Sequence, residues 1–319
     1  MKKILLTSLY AALLFGSCQP QKEESAAIEM PPGLDMSMMN QEVNPREDFY
    51  QFANGGWLDK TEIPADEGRW GGFPELREKN DKIMLDIMEQ AAQNPEFKDG
   101  SDERKAIEFF SVGMDSTLAE KVGVVALNKW VNDINGVSDQ DELEALIAKM
   151  HVYGYGPYFG VSSFADLMNS KVNALYVGAG GLGLPNRDYY TKTDAKSKEI
   201  REKYIAHVAK MLEKAKVDGN YEAMANAVME IENRLALASL TPIEARNIPA
   251  LYNPMTVSGL QEMASNINWE RYLKTVGVDL SKVDTLIVTQ PKFVNEVNAM
   301  LADTDLDRTK AYLKWNVVN

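Results

Sequence analysis

The sequence predicts a mainly α-helical body with a few short β-strands near its middle. Two observations carry that expectation: apolar residues recur at spacings of three and four along most of the chain beyond about residue 74, and glycines cluster between about Gly154 and Asp188. The composition is globular, at 45% hydrophobic and 25% charged over 319 residues, long enough for one large core or two ordinary ones.

The first residues stand apart from that body. Lys2 and Lys3 precede the apolar run from Ile4 to Phe15, which is signal-peptide length and shorter than the roughly 20 residues a spanning helix needs. Leu14-Phe15-Gly16-Ser17-Cys18 resembles a bacterial lipobox, whose cysteine is acylated to become the mature N-terminus. Cys18 is the single cysteine, so no intramolecular disulfide is possible. The expectation is therefore a signal peptide over 1–17 and a lipid-anchored flexible tether over 18–40, rich in Pro, Ser, Glu and Met. A formal net charge of −13 argues against nucleic acid as a partner.

Each element of the body has its own signal. From Pro74, the residues Leu76, Ile83, Met84, Ile87, Met88 and Ala91 share one helical face, and Ala106, Ile107, Phe109, Phe110 and Met114 continue the pattern. Ser138 is a plausible cap for a helix carrying Leu143, Ile147 and Met150. Ala174 to Val177 reads as a strand, and the run from Gly178 to Gly183 as a tight turn between strands. Two long helices follow, one through Ile200, Tyr204, Val208, Met211 and Ala215, the other through Met224, Val228, Ile231, Leu235 and Ala238 until Pro242 stops it. Leu286-Ile287-Val288 suggests one more strand. A helix from about Asp305 through Ala311, Leu313, Trp315 and Val318 closes the chain without a terminal glycine, proline or polar tail, as a truncated sequence would. Most of the sixteen Met fall at core-facing positions.

Self-sufficient chemistry is hard to find in this pattern. A zinc helix needs two His one turn apart with a Glu between them, whereas His151 and His207 are the two His of the chain and lie far apart. Each is expected to be a packed or hydrogen-bonded structural residue. No nucleophile elbow, phosphate loop or dinucleotide fingerprint appears, and paired carboxylates signal little among 47 acidic residues.

Four separated segments resemble one family, the neprilysin and endothelin-converting-enzyme zinc metallopeptidases. They are Asn44 to Leu58 with Ile63-Pro64 after it, Leu182 to Tyr190, Glu244 to Asn247 with Tyr252 to Thr256, and Tyr312 to Asn319. The first offers a Gly55-Gly56-Trp57 turn that pins an aromatic; the second offers a Pro185-Asn186-Arg187 turn before a tyrosine anchor. Animal relatives carry cysteines where this chain has Arg46 and Asn54.

The resemblance implies the helical cap domain of a neprilysin-like peptidase over 41–319, incomplete at its C-terminus, in which 41–60 packs on an absent catalytic domain and 61–319 builds the cap. It implies zinc in the full-length enzyme, with ligands that this chain does not contain, and no catalytic or metal-binding residue here. By the same resemblance Arg69 and Arg77 match a subsite that binds the carboxyl end of short peptides, for which an arginine fork is suited. Pro74 stands where neprilysin has an acidic partner. The implied function is the substrate-enclosing N-terminal part of a secreted metalloendopeptidase that cleaves oligopeptides, lipid-anchored at Cys18 in a bacterial cell envelope. The 319-residue chain alone is expected to be inactive. The alternative is a non-enzymatic lipid-anchored protein that binds peptides or a partner.

Overall fold

Residues 33–319 are described by a computed structural model. The expected signal peptide, Cys18 and the tether as far as residue 32 lie outside the described residues. The chain divides into two units, one ending at Ser111 and the other running from Val112 to Asn319.

The first unit contains α1 (Phe49–Leu58), α2 (Gly72–Ala92) and most of α3 (Asp102–Met114). Asp48 caps α1 by accepting the Gln51 N–H at 2.9 Å. Gly55, Gly56 and Trp57 lie inside α1 and do not form the expected turn. Their smallness serves a crossing: a Cβ on Gly56 would lie 2.5 Å from the Ser37 carbonyl oxygen and 2.7 Å from that of Met39. The Asn40 N–H donates to the Phe52 carbonyl at 2.9 Å and fastens the crossing segment. Helix α2 occupies the expected span, but its apolar face stays open, with Leu76 54% and Met84 56% exposed. On α3 only Ile107 is buried, while Phe109 is 85% exposed. Periodicity places a stripe on a helix; burial needs a facing layer, and the helices of this unit bury only Gly55 and Ile107 among the described residues.

The second unit begins with α4 (Ser116–Val122), α5 (Val125–Gly136) and α6 (Gln140–Val152). The cap of α6 is Asp139 rather than Ser138: Asp139 accepts the Glu142 N–H at 2.9 Å. Ser138 sits one position earlier and donates its N–H and hydroxyl to the Glu142 carboxylate at 2.7 and 2.8 Å, a reciprocal arrangement that satisfies both ends of the first turn. An antiparallel hairpin follows, β1 (Phe159–Ala165) and β2 (Asn173–Ala179), with Phe159 opposite Ala179. Then come α7 (Asp188–Thr191), α8 (Ala195–Lys214), α9 (Tyr221–Ala238), β3 (Pro254–Met255), α10 (Val257–Met263), α11 (Trp269–Thr275), β4 (Leu286–Val288), α12 (Pro291–Asp303) and α13 (Leu306–Val318).

The sheet runs in the order β1-β2-β4-β3, with β2 and β4 parallel and the other pairs antiparallel. The glycine run 178–183 is therefore not a turn between strands. It leaves the end of β2, whose sheet neighbours are β1 and β4, and leads into α7. Gly181 takes φ +77°, and a Cβ there would collide with the Tyr312 hydroxyl and lie 2.6 Å from the Tyr158 nitrogen.

Two clusters make the core. Phe159, Val177, Leu286 and Val288 face helices α5, α6, α11 and α12 through Ile134, Ile147, Trp269 and Phe293. Val208 and Leu212 of α8, Val228 of α9 and Trp315 of α13 form the other cluster. Helix α13 serves both, since Tyr312 and Leu313 belong to the first and Trp315 to the second. Met150, Met229 and Met300 are core residues as expected, but Met84, Met114 and Met168 are exposed.

The crossing at α1 generates a test. Gly56→Ala should displace segment 36–39 and cost about 1–3 kcal/mol of the first unit's stability, as overpacking against backbone does. Limited proteolysis should then cut ahead of α1 faster than in the parent chain; unchanged cleavage would contradict the crossing.

Candidate functional site

Arg69 and Arg77 both lie in the first unit and both are exposed. Arg69 stands in the loop between α1 and α2, and Arg77 in the second turn of α2. Two contacts fold that loop against the helix. The Trp57 indole donates to Glu75 Oε1 at 2.9 Å, and Arg77 pairs with Glu67 at 2.6 Å, two residues ahead of Arg69. The Arg77 side chain is 62% exposed, so the pair is solvent-screened and contributes at most about 1 kcal/mol. A competing carboxylate can displace Glu67 at little cost. The carboxylate beside Arg77 is thus Glu67 of the loop. Phe73 is exposed on the same helix end.

In the second unit a buried carboxylate that sequence reasoning passed over sits at the centre of a polar network. Glu232 of α9 is 1% exposed and surrounded by donors. Tyr190 donates to its Oε2 at 2.7 Å and Tyr204 to its Oε1 at 3.0 Å. Each phenol is itself engaged: Tyr190 accepts the Leu184 N–H at 2.8 Å, and Tyr204 accepts the Trp315 indole N–H at 2.9 Å. A Cβ on Gly183 would collide with the Tyr204 phenol and lie 3.1 Å from Glu232 Oε1, so the chain passes the carboxylate only as glycine. Burial pushes Glu232 up to about 7 despite these donors, and burial together with the facing carboxylate pushes both phenols well above their usual range. The signal was present in the sequence. Ala225, Val228, Met229, Leu235 and Ala236 line one buried face of α9, and Glu232 falls in that stripe at helical spacing.

A second network lies beside it. Tyr312 donates to the Gly181 carbonyl at 2.8 Å and accepts the Tyr158 N–H at 3.0 Å, which holds Tyr158 at φ +65°. Neither network opens to a reactant. They bind the chain to itself.

The histidines do not form a metal centre. The Nε2 of His151 meets the Pro157 carbonyl at 3.0 Å and so carries the proton, leaving Nδ1 to accept from Tyr272 at 2.6 Å. Both nitrogens are used, and burial lowers its pKa. His151 is thus the structural residue expected. His207 is not packed on the apolar face: it is exposed, edge-on to Trp315 at 6.0 Å. Position 207 flanks the buried Tyr204–Val208–Leu212 line of α8 and is not on it. Among the described residues no group of three or more His, Cys, Asp or Glu is placed to hold a metal ion, so the residues present do not fit zinc.

Residues 45–319 match the model of the N-terminal part of peptidase family M13. The chain belongs to peptidase family M13. Endothelin-converting enzyme 1 of Cavia porcellus is 27% identical over 296 residues, covering 89% of this chain and 38% of that protein, and the enzyme of Mus musculus gives the same values. Among solved structures, the Mycobacterium tuberculosis zinc metalloprotease Zmp1 in complex with inhibitor superposes with a TM-score of 0.83 at 24% identity, over 90% of this chain and 44% of that one. PepO from Lactobacillus rhamnosis HN001 gives a TM-score of 0.72 at 17% identity, over 87% and 43%. At these identities the two structures establish the fold, which is the helical N-terminal domain of the family. The chain spans less than half the length of the relatives it matches.

The family segments now have a physical meaning in this member. Leu182 to Tyr190 and Tyr312 to Asn319 converge on Glu232 and Gly181. Tyr252 and Asn253 of the third segment tie to the sheet, donating to Asp166 at 3.1 Å and to the Val288 carbonyl at 3.0 Å.

Glu232 gives this M13 domain a pH signature. Its folded pKa of about 7 exceeds the usual 4.5, so the native state binds the proton more tightly than the unfolded chain. Its contribution is complete below about pH 4.5, declines by about 3 kcal/mol as pH rises to about 7, and is flat beyond. Glu232→Gln should remove that slope from urea-unfolding midpoints, because the amide does not titrate and resembles the neutral acid that is native at acid pH. An unchanged slope would place the titration elsewhere.

Proposed function

We propose that this chain is the substrate-enclosing N-terminal part of a secreted zinc-dependent metalloendopeptidase that cleaves oligopeptides. The observation that carries the reading is the match to peptidase family M13 along residues 45–319, together with a fold that follows a zinc metalloprotease over 90% of this chain. Peptide chemistry in the whole protein then rests on zinc ligands in the part of the family's length that this chain does not span. The 319-residue chain alone supplies enclosure and binding.

Anchoring is assigned to Cys18 through a tether over 18–40, on the outer side of a bacterial membrane. What supports the assignment is the lipobox-like Leu14-Phe15-Gly16-Ser17-Cys18 after an apolar run of signal-peptide length.

Arg69 and Arg77 are assigned to the carboxylate end of short peptides. Arg77 is held by an exposed ion pair that a peptide carboxylate can replace, and Arg69 has no comparable partner among the described residues. The exposed Phe73 beside them offers apolar contact for the terminal side chain.

The test is a binding comparison on the 319-residue chain. A short peptide with a free terminal carboxylate should bind about tenfold more tightly than its amide, the scale of a charge-assisted hydrogen bond. Arg69→Ala and Arg77→Ala should each reduce that difference. Equal affinities for acid and amide would contradict the assignment, and chelator-sensitive cleavage by the chain alone would contradict the division of labour.

A further inference from the structure

The four-stranded sheet has one face in the core; its other face is covered at Tyr176 of β2 and Ile287 of β4, both buried, and open along β1. Phe159 and Val177 point inward to the first hydrophobic cluster. On the opposite face Gly160, Ser162 and Phe164 of β1 lie across from Gly178, Tyr176 and Ala174 of β2. A cavity of about 550 Å³ runs along this face, lined by Gly160, Ser162, Phe164, Leu167, Tyr176 and Thr289 among others, with no charged side chain. The paired glycines leave its floor bare. A Cβ on Gly160 would meet nothing within 4 Å. Phe164, 68% exposed, stands at one end as a wall.

Beside this groove lies an open strand edge. Strand β1 ends the sheet, with β2 as its neighbour. The hairpin closes with the Asp166 N–H donating to the Val172 carbonyl at 2.9 Å, which sets the alternation of the ladder. Gly160, Ser162 and Phe164 therefore bond inward to β2, while Phe159, Val161, Ser163 and Ala165 turn their backbone groups outward. The two ends are already used: Phe159 N–H donates to the Pro157 carbonyl at 2.8 Å, and the Ala165 carbonyl accepts from Tyr176 at 3.0 Å. At Val161 and Ser163, among the described residues, both outward N–H and C=O groups are free of protein partners. Protein edges are ordinarily protected by lysine, proline or a bulge. Strand β1 has neither a charged residue nor a proline, and its pairing with β2 is unbroken from Phe159 to Ala165.

We propose that the open edge of β1 and the glycine-floored groove beside it form a docking strip for an extended, uncharged stretch of oligopeptide, which joins the sheet as an additional strand. The proposal rests on the reading of the chain as a peptide-handling domain. Donors and acceptors repeating every second residue, about 7 Å apart, match the backbone of a strand and little else in solution. The neutral, apolar lining selects small or apolar side chains at alternate positions. The strip belongs to the second unit and is read independently of Arg69 and Arg77, so it would bind the body of a peptide and not its terminal carboxylate.

The test uses a short fluorescent peptide capped at both ends, alternating valine or leucine with serine or threonine, titrated into the 319-residue chain. Gly160→Leu fills the groove from open space, and Ser163→Pro removes an outward N–H at an edge position that tolerates proline. Each should weaken binding about tenfold, with the thermal midpoint unchanged. The same peptide N-methylated at alternate residues should bind the parent chain about tenfold more weakly, a readout that needs no protein variant. Absence of binding to the parent chain, or equal binding by both variants and by the N-methylated peptide, would overturn the proposal. A free-carboxylate peptide run in parallel separates the two readings: binding that depends on Arg69 but not on Gly160 or Ser163 would sink the strip and leave the peptide-handling domain standing.

Discussion

A carboxylate sealed from water must be hydrogen-bonded on both oxygens or held as the neutral acid, and Glu232 imposes that requirement on everything around it. Its two oxygens fix two phenols from different elements, α7 and α8, against α9. The Tyr204 phenol in turn fixes the Trp315 indole of α13. Three consecutive helices and the distant α13 thereby share one orientation. The hydrophobic cluster of Val208, Leu212 and Val228 supplies the larger share of burial energy, but apolar contact is non-directional. The polar knot selects which packing of these helices is the native one.

The same logic extends to the sheet through α13. Tyr312 lies one helical turn before Trp315 and binds both Gly181 and Tyr158, so α13 locks the exit of β2 with one side chain and the Glu232 knot with another. The hairpin is thus held from its core side and its exit. On its outer face Tyr176 ties the hairpin's end to itself through Ala165 and Leu167, so the backbone groups left without protein partners on the outer edge, among the described residues, are those of Val161 and Ser163. The first unit works differently. Its contacts include exposed ion pairs, an indole–carboxylate bond and a backbone crossing over glycines, with little apolar burial among the described residues.

Much of the fold was legible because helical period is a local property. The spans of α2, α8, α9 and α13 follow from apolar spacing, and β4 from the short run Leu286-Ile287-Val288. What the local pattern could not supply was pairing. The glycine run at 178–183 looked like a turn between strands because the sequence does not say that β2 pairs with β4 across more than a hundred residues. Burial on α2 and at His207 was misjudged for a related reason: a stripe marks a face, and only the facing layer decides whether it is covered. Glu232 was legible in principle as a carboxylate inside an apolar stripe, but its partners Tyr190 and Tyr204 are joined to it only by folding. Arg69 and Arg77 entered through family resemblance, and Glu67, ten residues from Arg77 across an irregular loop, had no sequence signal at all.

One buried carboxylate couples α7, α8 and α9, and through Tyr204 also α13. A double-mutant cycle of Tyr190→Phe and Tyr204→Phe, read by urea unfolding, addresses that coupling directly. With Glu232 present the two losses should be non-additive, because the second deletion strips the last phenol donor from a buried carboxylate. In a Glu232→Leu background the coupling should vanish. Additive losses in both backgrounds would show that the tyrosines act independently and that the carboxylate is not the hub.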